Sequence, residues 1–187
     1  MAEGRSHSGK ALACAATLLA ALWSAPALAV VVVPITFEQL VDEAAAVVYA
    51  RVSEVRGQWT YDRQSIDSII TLEALGYAKG DLGPTVTMRL PGGEAGGRLQ
   101  VIPGAPTLRE GELVVLFLKA RGPALLTTLG LGQGIFRVTR DARTGAMLVT
   151  PPPLKESQLG RIIRGAAARR TLSVDAFFAT VRETEAR

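Results

Sequence analysis

Between Val47 and Thr150 the chain is a succession of short apolar runs, each closed off by glycine, proline or polar turn residues after about 8–12 positions. That rhythm constrains the fold more than any other feature, because it leaves no room for a long helix between the runs. Thr85–Leu90 alternates cleanly, with Val86, Met88 and Leu90 on one face and Thr85, Thr87 and Arg89 on the other. Val47–Val55 is apolar until Arg51, Ser53 and Glu54 break in, as in a strand leaving a core. Leu113–Leu118 is apolar throughout, which suits a strand covered on both faces. Ile135–Arg140 and Ala146–Thr150 flank Asp141–Gly145, a hairpin loop with a glycine for a left-handed position. Leu99–Ile102 and Leu125–Leu129 are two further strand candidates. The pattern predicts an antiparallel sandwich or barrel.

Helical periodicity appears only at the two ends of this region. Thr36 and Gln39 fit a capping box ahead of Leu40, Val41 and Ala44. After Pro151-Pro152-Pro153, a stiff boundary, Leu159, Ile162, Ile163 and Ala166 fall at i, i+3, i+4 and i+7. Val174, Phe177, Phe178 and Val181 repeat that spacing behind Ser173 as N-cap. Two amphipathic helices are therefore expected within 151–187, with their apolar stripes on the preceding domain, 30–150.

Residues 1–29 read as a secretory signal peptide. Arg5 and Lys10 precede the apolar run Ala11–Trp23, and Ala27-Leu28-Ala29 supplies an A-x-A cleavage triplet, giving a mature start at Val30. The run is shorter than the ~20 residues of a membrane span and Pro26 follows it. A lipoprotein acylated at Cys14 is the weaker alternative, since Ala11-Leu12-Ala13 is a poor lipobox. The expected location is secreted or periplasmic, with no stable membrane anchor after cleavage.

Cleavage would remove the only histidine, His7, and the only cysteine, Cys14. A mature chain without either residue type has no Ser-His-Asp or Cys-His centre, no zinc-finger site and no disulfide. No cofactor or metal is expected. The formal charge of +4 also redistributes. Residues 30–153 hold 12 bases and 12 acids, while 154–187 hold seven bases and four acids, so the mature excess lies around Arg161, Arg164, Arg169 and Arg170. A balanced barrel gives no reason to bind nucleic acid.

An early helix leading into Ala46–Val55, a strand Ile69–Leu75 reaching Lys79-Gly80, and Glu110-Gly111-Glu112 before Leu113–Leu118 form an order similar to the netrin and tissue-inhibitor-of-metalloproteinase (TIMP) group of OB-fold barrels. The likeness covers roughly residues 36–120. Arg89–Gly97, Pro103–Pro106 and Leu131–Phe136 also resemble a class of uncharacterised secreted bacterial proteins, which carries no activity across. The resemblance implies a small antiparallel OB-like β-barrel; with the helical periodicities at both ends, the expected architecture is mostly β, with an N-terminal helix and a C-terminal α-helical hairpin. TIMP-type inhibitors chelate zinc through an N-terminal cysteine, so that mechanism does not transfer to a chain starting at Val30.

Candidate chemistry is sparse. Pro91–Gly97 lacks the Lys-Ser/Thr and helix of a phosphate loop and reads as a flexible hairpin loop. Glu38, Asp42, Glu43, Asp62, Asp67, Glu110 and Glu112 could supply a carboxylate pair for glycan hydrolysis, but no two are singled out. Ser53, Ser65, Ser68, Ser157 and Ser173 lie in neither G-x-S-x-G nor S-x-x-K. Asp141 lacks the alternating oxygen ligands of a calcium loop. The surface that stands out is Gly57–Arg63: a strand continued through it puts Trp59, Tyr61 and Arg63 on one face as a binding platform, against the plainer reading that the rings cover a barrel end. The leading expectation is a non-enzymatic module binding a protein or envelope component. The alternatives are a protease-inhibitor-like regulator acting through loops and a carboxylate-dependent envelope glycan hydrolase.

Overall fold

Helix α1, Phe37–Glu43, begins at the capping box read from the sequence: Thr36 Oγ1 accepts from the Gln39 amide at 3.2 Å and Gln39 Oε1 from the Thr36 amide at 2.9 Å. The computed structural model describes residues 34–120, 122, 125–153 and 170–187. The signal segment and the first expected C-terminal helix, 159–166, lie outside the described residues. Leu40, Val41 and Ala44 are buried as their spacing requires. The far end of α1 is held by Lys79, whose Nζ donates to the Val41 carbonyl at 2.7 Å.

Among the described residues ten strands follow: β1 Ala46–Trp59, β2 Ile66–Lys79, β3 Thr85–Pro91, β4 Gly93–Ala95, β5 Arg98–Gln100, β6 Leu113–Ala120, β7 Leu126–Thr128, β8 Ile135–Arg140, β9 Met147–Thr150 and β10 Leu172–Ser173. The order β1-β2-β3-β7-β6 closes on itself because β6 also pairs with β1, from Ala46 opposite Leu118 to Arg51 opposite Leu113. The expected barrel is therefore a closed five-stranded one. Register shifts in the β1–β2 ladder, including one between Val52 and Glu54, supply the bending that closure needs. One pairing departs from the all-antiparallel expectation: β3 and β7 run parallel through Met88 and Leu126. The chain crosses over between them, so strand rhythm alone does not reveal their direction.

The alternation in β3 holds residue by residue, with Val86, Met88 and Leu90 buried. Strand β6 is buried on both faces, also as expected. Val114, Leu116 and Leu118 join Val48, Ala50, Val52, Ile70, Leu72, Val86, Met88 and Leu90 in one cluster. Val115 and Phe117 face a second cluster with Leu40, Val41, Phe136, Phe177 and Val181. Helix α2, Val174–Glu185, caps through Ser173 Oγ and contributes Phe177, Phe178 and Val181 to that second cluster. The ring centroids of Phe117, Phe136 and Phe177 lie 5.1–6.2 Å apart, at the spacing of favourable aromatic contacts. This C-terminal helix packs on the barrel. Strand β10 pairs with β9, Leu172 opposite Val149, so the chain beyond Pro153 returns to the sheet it left.

Between β3 and β6, the glycine-rich stretch forms the expected hairpin, with both of its arms paired as a two-stranded ribbon. Gly96 and Gly97 have φ of 59° and 72°, the left-handed pair that a two-residue hairpin turn requires. The candidate strand 99–102 is correspondingly shorter, ending at Gln100.

Candidate functional site

The platform geometry read from the sequence is not formed. Strand β1 ends at Trp59, and Tyr61 and Arg63 stand in the turn that leads to β2. Polar side chains override the strand pattern there. The Thr60 amide donates to the Ser65 carbonyl and the Arg63 amide to the Thr60 carbonyl, both at 2.9 Å. The Thr60 hydroxyl donates to the Asp62 carboxylate at 2.6 Å and accepts from the Ser65 amide at 3.1 Å. Asp62 also accepts from the Gln64 amide at 3.1 Å. The Thr60 hydroxyl first, and then the Gln64 amide, hold the Asp62 carboxyl below the usual carboxylate range. Thr-x-Asp-x-x-Ser is a turn signal that the strand reading passed over.

Within this lock Tyr61 is fully exposed and Arg63 takes a left-handed φ of 54°, uncommon for a residue with a side chain. Among the described residues Arg63 makes no ion pair. Trp59 is half-buried, and the ribbon turn lies against it: a Cβ on Gly96 would stand 3.4 Å from Trp59 Nε1. The second half of β1, Val55–Trp59, forms its ladder with β2 alone, so the turn is carried beyond the edge of β6.

The β4–β5 ribbon seats on this arm through bare backbone. A Cβ on Gly57 would fall 1.7 Å from the Glu94 carbonyl oxygen, and one on Gly93 2.4 Å from Ser68 Oγ. The Ser68 hydroxyl donates to the Gly92 carbonyl at 2.7 Å, and the Ile66 amide to Gln100 Oε1. With Gln100 turned inward, Leu99 and Val101 point outward, 71% and 76% exposed. Neither stood out in the sequence, where Leu99–Ile102 was only a strand candidate.

Most of the remaining candidates have structural partners. Glu43 pairs with Lys119, Asp67 with Arg89 and Glu112 with Arg137. Glu110 accepts from the Val55 amide. The Ser53 hydroxyl donates to the Thr71 carbonyl. Asp141 accepts from the Arg143 and Thr144 amides and the Thr144 hydroxyl, a turn closed by Gly145 at φ 72°. Glu38 and Asp42 are exposed on α1. Among the described residues no group of three or more acidic, histidine or cysteine side chains is placed to hold a metal ion.

Compared with known proteins, the chain matches no family model, no curated protein and no solved structure. The likeness to netrin and TIMP-type barrels thus rests on the sequence motifs that suggested it.

Proposed function

We propose that the chain is an exported, non-enzymatic OB-like β-barrel module that binds a protein or envelope component at the β1–β2 turn, with Trp59, Tyr61 and Arg63 as the residues concerned. The carrying observation is the fully exposed Tyr61 on a hydrogen-bonded turn at one end of a closed five-stranded barrel. OB-type barrels bind ligands on the face of their second and third strands and in the loops beside it, the first-to-second-strand loop among them. The strand order, with β3 parallel to β7, supports the OB-like reading. The structural partners of Glu43, Asp62, Asp67, Glu110 and Glu112 favour binding over hydrolysis. No helix among the described residues is long and apolar enough to cross a membrane.

Export is tested by N-terminal sequencing of the protein recovered outside the cytoplasm, which should begin at Val30. Binding is tested by immobilising residues 30–187 and applying solubilised envelope proteins and purified peptidoglycan in separate runs. Saturable retention of a component, reduced by Tyr61→Ala, is the expected result. No retention from either pool overturns the reading.

A further inference from the structure

We propose that the β1–β2 turn is a preorganised docking knob: the Tyr61 ring enters a recess in a protein partner, and Arg63 meets an acidic group at the rim of that recess. The inference rests on the binding-module reading above and adds the kind of partner.

The shape decides first. Tyr61 is fully exposed on an arm of two strands, so the ring meets its partner as a projection and the partner supplies the concavity. Preorganisation comes next. Thr60, Asp62 and Ser65 close the turn with side-chain and backbone hydrogen bonds that hold Arg63 left-handed. Such strain persists only where the surroundings over-determine it, and it gathers at sites where a fixed shape is used. A turn already in its bound shape loses little freedom on association. The residue types agree, since tyrosine and arginine are enriched among the residues that carry binding energy at protein interfaces. Arg63, without an ion pair among the described residues, is complementary to a carboxylate.

A glycan fits less well. Stacking along successive sugars needs more than one free ring, and Trp59 is half-buried beside Gly96, leaving Tyr61 alone. An anionic membrane surface fits less well again, because Asp62 adjoins Arg63 and the turn carries no cluster of bases.

The test places a photo-crosslinking benzoylphenylalanine at position 61 and, separately, at exposed Thr139 on β8, in the full chain made by its own cells. Irradiation should join position 61, and not position 139, to one protein, with the adduct mapped to residues lining a recess that has an Asp or Glu at its rim. With that protein purified, Tyr61→Ala and Arg63→Glu should each weaken binding about tenfold or more. Tyr61→Phe should stay within about twofold, since the ring and not the hydroxyl is the anchor. Arg63→Gly separates a binding role from a structural one: it should raise Tm by roughly 2–4 °C by relieving the left-handed strain and yet weaken binding. Equal labelling from positions 61 and 139, an adduct on a flat surface, or unchanged affinity of Tyr61→Ala or Arg63→Gly overturns the knob. If purified peptidoglycan retains the chain and no protein adduct forms, the knob falls while the binding module stands; if neither binds, both fall.

Discussion

At the scale of single residues, glycine and aspartate do work that larger or uncharged residues cannot. Gly57 has no left-handed φ to satisfy; its role is steric, since the Glu94 carbonyl occupies the place of a side chain. Gly57→Ala should therefore destabilise by about 1–3 kcal/mol, as overpacking does, in urea denaturation. Faster amide exchange at Glu94 and Ala95 should show that the ribbon has lifted from the arm. Asp62 gives a pH dependence whose sign is fixed. Its folded carboxyl titrates below the ordinary value, so the stabilisation it brings is fully present above the unfolded carboxyl pKa of about 3.9 and is lost as pH falls through the lower folded value. The Gln64 amide resonance should hold steady from neutral pH down to about pH 4 and shift only in stronger acid. A shift centred near pH 6 would remove Asp62 as the turn's acceptor. These residues were only partly legible in sequence: Thr60, Asp62 and Ser65 carry a turn signal, but nothing local marks Gly57 as the seat of a strand 37 positions later.

At the scale of elements, the readable features were those governed by one buried face or one local hydrogen bond. The alternation of β3, the double burial of β6, the capping box of α1 and the Ser173 cap of α2 all follow from side chains a few positions apart. The parallel partnership of β3 and β7 and the ribbon over the arm depend on distant segments and were not readable in this way. The end of β1 was misjudged for a third reason: Trp59-Thr60-Tyr61 has strand-forming residues, while a polar network spanning the six residues Thr60–Ser65 sets the turn. Helix α2 offers a direct check on packing. Phe177 is buried against Phe37, Phe117 and Phe136, with ring centroids 5.1–6.2 Å away. Phe177→Ala should lose about 3–5 kcal/mol of stability in chemical denaturation. A loss below about 1 kcal/mol would mean that α2 is a detachable appendage and that its burial contributes little.

At the scale of the whole molecule, two apolar clusters share β1, β6 and β8, which makes the helices and the barrel interdependent. Val48 and Val114 look into one cluster while Val47 and Val115 look into the other, so the strands transmit loss of either side. Deleting 174–187 should accordingly give a chain with strand content but weakened near-ultraviolet circular dichroism and enhanced dye binding, as expected when an apolar cluster is opened. A sharp, wild-type-like thermal transition in that truncated chain would contradict the shared core. The closing of β1 onto β6, Ala46 against Leu118, also has a consequence in time. The barrel's first strand must wait for a partner far along the chain, and the aromatic cluster behind β6 waits longer still, for Phe177. Contacts so distant in sequence slow folding, toward the millisecond-to-second range of β-barrels. The strand partners of β1 and β6 are all in place by Arg140, but until Val174–Glu185 is available Val47, Val115 and Phe117 lack the helix that covers them, and that bare apolar face is the chain's vulnerable surface during folding.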